Sequence, residues 1–245
     1  MKKTLILCIF FIFSLNRLAA QESWGGGVDG EQLHFGFTFQ YVASEFKILK
    51  LAEWQGPFND QYGPMINSPM KSLSSPVTPG FGLGFVSDFR LGDNANLRFT
   101  PAMVFADRIV NYEYMDPAFN IQRKVQATLM DLPLGIKLKS DRRRNFRAYM
   151  IAGAKYSVDI TSKKKTDDIA LSPEAKYLKN NKNIAWYEAG VGFDLYFEFF
   201  KMSPEIKFAQ SMKSVLRDDD RLENPYTSPI DKLFLRNFQF SLYFE

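Results

Sequence analysis

Cysteine is almost absent from this 245-residue sequence, because Cys8 is the only one and lies within the first twenty residues. Without that stretch, the chain has no disulfide, no thiol nucleophile and no thiolate ligand for a metal. Histidine is equally scarce, since His34 is the only one. The usual base of acyl-transfer and hydrolytic sites is therefore available at a single position. We predict that the protein is not an enzyme and has no catalytic, cofactor-binding or metal-binding residues.

Long apolar runs are also missing, apart from one near the N-terminus. Two lysines precede the mostly apolar stretch Leu5–Leu15, and the pair Ala19-Ala20 follows it. The run is shorter than the ~20 residues that a membrane-spanning helix needs. A charged start, a short apolar stretch and small residues are the parts of an export signal. We predict a signal peptide over residues 1–20, cleaved near Ala20, and a periplasmic N-terminal segment over residues 21–31.

The excess of positive charge is small once this signal is set aside. The full sequence has a formal charge of +4 at pH 7, but three basic residues and no acidic ones lie in the signal. The remaining chain is nearly neutral and lacks the field that attracts phosphate groups. We therefore expect no nucleic-acid partner.

The sequence is rich in alternating apolar and polar residues. Between Ile184 and Phe199, apolar side chains occupy every second position, and Glu188 and Asp194 lie among the others. Side chains alternate faces along a strand, so this segment has one apolar and one charged face. It is long enough to cross a bilayer, which takes ~9–11 residues. Eight such segments are predicted, namely Leu33–Tyr41, Phe81–Leu91, Leu97–Phe105, Met130–Leu138, Arg147–Asp159, Ile184–Phe199, Ser203–Met212 and Phe234–Phe244.

The connections between these segments alternate between long and short. Long polar links such as 42–79 and 161–183 alternate with short ones such as 92–96. This alternation is typical of outer-membrane barrels, whose outside loops are long and whose periplasmic turns are short. The sequence predicts an all-β fold over residues 32–245: an eight-stranded antiparallel up-and-down transmembrane β-barrel with long, solvated extracellular loops. Its expected location is the outer membrane of a Gram-negative bacterium.

The apolar face is predicted to contact lipid and the charged face to fill the lumen. Eight strands enclose a lumen just wide enough for ordinary side chains, so the many phenylalanines fit better outside. A soluble barrel with an aromatic core is the alternative. The predicted plug is a network of paired lumen charges, made of Asp88, Arg90, Arg98, Arg108, Asp131, Lys137, Arg147, Lys155, Asp159, Glu188, Asp194 and Glu205.

Two surface regions are candidates for contact with partners. Lys139 and the run Arg142, Arg143 and Arg144 form a predicted periplasmic docking site for an acidic partner or lipid phosphates, although a solvated turn explains them equally simply. Trp54 and Tyr62, in the first long link, are predicted partner anchors, with interfacial or local packing as the alternative.

For two further groups of residues, an explanation without a binding or catalytic function is favoured. Asp218–Asp220 could bind Ca²⁺ or bridge to lipopolysaccharide, but the spacing of a calcium loop is missing and a solvated acidic loop is favoured. His34 is expected to be a lumen histidine hydrogen-bonded to a polar neighbour.

Three stretches resemble a known family: LPLGIKLK at 132–139, FRAYMIAGAKYSVDI at 146–160 and AWYEAGVGFDLYFEFFKMSPEIKFAQS at 185–211. They are similar to the PorT outer-membrane barrels of Bacteroidetes, and the similarity extends over residues 33–244. Met202–Phe208 is the most specific part. The resemblance implies a monomeric barrel needed for type IX protein secretion and, in gliding species, for motility. It implies outer-membrane lipid and other secretion proteins as partners, and it brings no catalytic residues.

Overall fold

A computed structural model describes residues 27–60, 63–66, 68–160, 178, 180–217 and 224–245 of the chain. The predicted signal peptide, Tyr62 and Asp218–Asp220 lie outside these residues. The strands are β1 (Leu33–Lys50), β2 (Phe58–Asp60), β3 (Gly63–Ile66), β4 (Met70–Ser74), β5 (Thr78–Arg90), β6 (Ala95–Phe99), β7 (Ala102–Ala106), β8 (Arg108–Tyr114), β9 (Ile121–Val125), β10 (Thr128–Lys139), β11 (Phe146–Asp159), β12 (Asn183–Tyr196), β13 (Lys201–Ser211) and β14 (Ile230–Phe244). Short 3₁₀ turns cover Val28–Gly30 and Pro117–Phe119. None of the helices in the described ranges is long and apolar enough to cross a membrane.

Eight antiparallel strands close into a ring. The order is β1, β5, β6 with β7, β10, β11, β12, β13 and β14, and β14 pairs again with β1. The closing pair is long, since it runs from Phe37 opposite Phe244 to Lys50 opposite Ile230. Every backbone group of a barrel wall finds a partner in a neighbouring strand, so no sheet edge is left in the bilayer. The predicted eight-stranded barrel is confirmed.

The third barrel strand is interrupted at Pro101, which lies between β6 and β7. Proline has no backbone N–H to give to the ladder, so it needs a break or a bulge. The carbonyl of Pro101 still accepts from the N–H of Phe85 at 3.0 Å, and the N–H of Thr100 donates to the carbonyl of Pro133 at 3.2 Å. Both halves keep the same faces, with Phe99 and Met103 outward. The strand therefore continues across the break.

The outer wall of the barrel is apolar. Across β11, β12 and β13, the paired residues Met150, Val191 and Ile206 are 64%, 52% and 58% exposed. Alternate positions on the same strands, such as Glu188 and Glu205, are buried in the lumen. A protein in water would hide the first set and expose the second, so the soluble alternative is wrong.

Gly192 provides space for a lumen tyrosine. A Cβ at this position would lie 2.5 Å from the ring and hydroxyl of Tyr149, which is far closer than two atoms approach without bonding. The glycine thus lets Tyr149 cross the narrow lumen towards β13.

Two connections are more ordered than predicted: the one between the first and second predicted strands, and the one between the third and fourth. β1 continues nine residues beyond Tyr41, and β4, β8 and β9 form a separate three-stranded sheet at the long-loop end. Apolar side chains beneath it, among them Leu73, Tyr112 and Leu233, continue the core beyond the lumen. The expectation of solvated loops is wrong for these segments, because β8 has its own buried alternating face.

Candidate functional site

Arg98 is the centre of a buried ion-pair cluster near the short-turn end of the lumen. Its Nη2 lies 2.7 Å from Asp88 Oδ2 and 3.1 Å from Glu245 Oε1, and its Nη1 lies 3.4 Å from Glu205 Oε2. Its guanidinium carbon is 4.7 Å from the centroid of the Tyr243 ring, which satisfies the geometry of a cation–π contact. One planar cation therefore joins carboxylates from β5, β13 and the residue that follows β14.

Glu205 extends this cluster towards the middle of the lumen. The hydroxyls of Tyr149 and Tyr243 donate to its two carboxylate oxygens at 2.9 Å and 3.0 Å. Lys207 lies 3.2 Å from the same carboxylate and 3.3 Å from that of Glu188. A carboxylate with this many donors is well satisfied despite its complete burial.

Two further ion pairs fill the rest of the lumen. Lys137 donates to Asp194 at 2.7 Å, and Ser203 donates to the same Asp194 oxygen at 2.7 Å. Nearer the long-loop end, Asp131 accepts from Lys155 at 2.8 Å and from Ser157 at 2.6 Å. The first pair joins β10 to β12 across the face of β11, and the second lies between the neighbouring strands β10 and β11. Together with the Arg98 cluster, they fill the lumen with paired charges.

The structure brings together most, but not all, of the twelve residues predicted for this network. Asp88, Arg98, Asp131, Lys137, Lys155, Glu188, Asp194 and Glu205 are buried in ion pairs, and Arg108 is buried with its Nε 2.9 Å from Ser44 Oγ.

Three of the predicted members lie elsewhere. Arg90 and Arg147 are at the short-turn mouth, where they contact Asp93 and Asp29, and Asp159 is half-buried at the other end of β11. These residues are near strand ends, where the lumen opens to solvent.

Sequence reasoning missed three charged residues of the network. Lys201 forms an ion pair with Glu245 at the short-turn end, and Lys207 joins Glu188 to Glu205. The alternation of β13 could have included Lys207, because it has the same parity as Glu205. Lys201 and Glu245 adjoin strand ends and left no comparable signal.

His34 is the one histidine, and it lies inside this cluster. Its Nε2 is 3.4 Å from Glu245 Oε2, 3.9 Å from Asp88 Oδ2 and 3.4 Å from the Lys201 ammonium. Ligand atoms of His34, Asp88 and Glu245 lie within 4.8 Å of one another, as in a metal site. Arg98 and Lys201 already occupy the cation positions beside both carboxylates, so a metal ion would meet two positive charges there.

The short-turn mouth carries most of the predicted basic docking residues. The Asp29 carboxylate lies 3.4 Å from Arg147 and 3.7 Å from Arg142, and Arg142 also stacks 3.7 Å above the Tyr196 ring. Lys139 is 8% exposed, whereas Arg143 and Arg144 are exposed on the turn. The four residues therefore do not form one surface.

A cleft of about 340 Å³ opens at the long-loop end. It is lined by Trp54, Phe58, Met70 and Tyr114, among others, and the Lys50 ammonium is 3.9 Å from the Trp54 ring centroid. Burial raises the pKa of Tyr114 to about 12 and also raises that of its neighbour Tyr112, so both hydroxyls stay protonated at neutral pH. Trp54 is half-buried within this cleft.

The lipid-facing wall and ion-filled lumen define a transmembrane β-barrel of the outer-membrane class. The chain belongs to the family described as outer membrane protein beta-barrel domain, whose model matches residues 19–217. In such barrels, the short turns face the periplasm and the long loops face outside. The short-turn end is accordingly called the periplasmic mouth below.

Two solved outer-membrane proteins are similar to this chain. OprG from Pseudomonas aeruginosa is 12% identical with a TM-score of 0.45, covering 86% of this chain and 93% of its own. Ail, the attachment invasion locus protein of Yersinia pestis, is 9% identical with a TM-score of 0.36, covering 87% of this chain and 98% of its own. No curated protein matches the chain.

Proposed function

We propose that this protein is a non-catalytic outer-membrane component required for type IX protein secretion, with a role in assembly or docking. The resemblance of Met202–Phe208 and the flanking strands to the PorT barrels supports a role in type IX secretion. The filled lumen is the observation that supports docking over conduction. Its proposed partners are outer-membrane lipid and other proteins of the secretion machinery, contacted by a monomeric barrel.

The lumen plug argues against passage of cargo through this chain. Arg98 joins three carboxylates, Lys137 packs over the Tyr149 ring, and Lys155 packs over the Trp186 ring. An eight-stranded barrel has room for these side chains and little else, whereas water-filled porins have ~16–18 strands. A protein segment in transit would have to displace paired charges from a narrow, enclosed space.

Deletion of the gene, followed by a census of secreted and periplasm-trapped proteins, tests the proposal. Loss of secreted cargo with its accumulation in the periplasm is expected. Complementation of the deletion strain with Arg98→Met tests whether export needs the intact lumen cluster. Complementation with Arg143→Met tests whether export needs the exposed basic turn. Intact export in the deletion strain would refute the role in secretion.

A generic small barrel that stabilises the envelope or binds surface ligands is the second candidate. The cleft beside Trp54 and Tyr114 favours it, because aromatic side chains in a concave site are common in ligand recognition. A deletion strain with normal export but altered surface binding would support this alternative. Replacing Trp54 with alanine would then remove the binding.

An outer-membrane lipid-modifying enzyme is the third and disfavoured candidate. His34 lies near the periplasmic mouth between Asp88, Glu245 and Lys201, on the buried side of the wall. A lipid substrate in the outer leaflet would approach the other end of the barrel. Normal lipid composition in a His34→Ala strain is the expected result.

A further inference from the structure

A cavity of about 360 Å³ lies at the periplasmic mouth, and its charges do not balance. It is lined by four cationic side chains, Arg90, Lys139, Arg142 and Arg147, and by two carboxylates, Asp29 and Asp93. Asp93 contacts Arg90 at 2.5 Å, and Asp29 lies 3.7 Å from Arg142 and 3.4 Å from Arg147. Among the residues that line the cavity, cationic side chains thus outnumber carboxylates four to two.

Lys139 is the residue that indicates a ligand. It is only 8% exposed and lines the cavity, yet no carboxylate of the described residues lies within ion-pair distance of its ammonium. Its backbone is fixed, because its N–H donates to Asn94 and its carbonyl accepts from the Asn94 side chain. An ammonium that opens into a cavity and lacks a counter-ion among the described residues favours binding of an anion beside it.

Asp29 occupies the cavity loosely. Its carboxylate oxygen is 3.4 Å and 3.7 Å from the two arginines, whereas charge-assisted hydrogen bonds are usually ~2.7–2.9 Å long. In the same barrel, Lys137 and Lys155 hold their carboxylates at 2.7 Å and 2.8 Å. Asp29 is thus a poorly fitted occupant that a better-placed acidic group could replace.

One cationic side chain of the cavity already contacts peptide backbone. The Nη1 of Arg90 donates to the backbone carbonyl of Asp29 at 3.0 Å. The occupying turn is short and has glycine at 27 and 30, with Gly27 at a φ of 82°. A carboxylate side chain next to an accepting carbonyl is a feature of an acidic peptide and not of a lipid phosphate.

We propose that the cavity between Arg90, Lys139, Arg142 and Arg147 is a binding pocket for an acidic peptide segment of a periplasmic protein. Asp29 occupies it in the free barrel, and the partner's acidic residue displaces this turn. This pocket would give the proposed docking role a specific binding site. The inference rests on that role only for the identity of the partner protein. Peptide binding by the purified barrel is measured separately from secretion, so failure of one does not imply failure of the other.

The test uses the purified, refolded full barrel and a synthetic peptide with the sequence of residues 26–32. An Asp29→Asn barrel lacks the carboxylate that competes for the pocket and should bind this peptide at least about tenfold more tightly than the wild-type barrel does, by the usual strength of charged hydrogen bonds. Adding Lys139→Gln to Asp29→Asn should weaken binding by about tenfold. A control peptide with asparagine at position 29 should bind weakly to every variant. Heat-modifiable gel mobility verifies that each variant is folded.

Matched controls separate this pocket from general attraction of anions. Replacing Arg143 and Arg144 with serine in the Asp29→Asn barrel should leave peptide affinity unchanged, because both side chains lie on the exposed turn. Inorganic phosphate at equal ionic strength should compete poorly. Equal binding by the wild-type and Asp29→Asn barrels, or competition by phosphate as strong as that by the peptide, would overturn the proposal.

Discussion

Replacing Arg98 with methionine should destabilise the barrel far more than the same substitution at an arginine of the exposed periplasmic turn. The substitution keeps an unbranched side chain but removes the cation that contacts Asp88, Glu205 and Glu245, all with side chains 0% exposed. Removing one partner of a buried ion pair costs about 3–5 kcal/mol, because the opposite charge stays buried without compensation. Here Lys201 and Lys207 still neutralise part of the cluster, so we expect the lower half of that range.

The assay is urea titration of the refolded barrel, with the folded fraction measured from heat-modifiable gel mobility. Arg143→Met is the matched control, since the same substitution on the exposed turn should change the free energy of unfolding by less than about 0.5 kcal/mol. The double variant with Asp88→Asn should be more stable than the sum of the single changes predicts, by about 0.5–3 kcal/mol. A change below 1 kcal/mol for Arg98→Met, or strict additivity with Asp88→Asn, would refute the idea that this arginine holds the plug together.

Three further predictions concern the wall, the orientation and the lumen. Val191→Arg should cost about 2–4 kcal/mol in the same urea titration, because it puts a charge on the lipid face, whereas Val191→Leu should be tolerated; equal stability of the two would contradict the assignment of faces. A membrane-impermeant thiol reagent on whole cells should label cysteine at Ala118 but not at Arg143, and the reverse pattern would invert the barrel. The purified monomer should be electrically silent in planar bilayers, and large, stable conductance would disprove the closed lumen.

The period of two along the strands made the barrel predictable, since it fixes which residues share a face. Glu188 and Asp194 were assigned to the lumen because they alternate with apolar neighbours, and both are buried there. The same periodicity recurs in β8, where Val110, Tyr112 and Tyr114 are buried. It was overlooked there because the segment adjoins polar connections.

Pairing across the lumen could not be obtained from the sequence. Lys137 meets Asp194 across a separation of 57 residues, and Arg98 meets Glu205 across 107. Such contacts depend on strand stagger and tilt, which alternation does not specify. Asp29 lay in a segment with no periodic signal, so its position against the basic residues of the periplasmic mouth was also inaccessible to pattern analysis.

The strength of the plug determines where this protein can act. Five lysine or arginine side chains and six carboxylates are engaged in lumen ion pairs, and opening a channel would separate several of them at once. At about 3–5 kcal/mol for each charge left buried and unpaired, three separations would cost about as much as the whole stability of a typical domain. An opening that separated these pairs without admitting water would therefore cost about as much as unfolding the barrel. Under the docking role proposed above, a partner protein therefore acts on one of the two mouths and leaves the lumen closed, and the periplasmic mouth is the one where cationic side chains outnumber carboxylates.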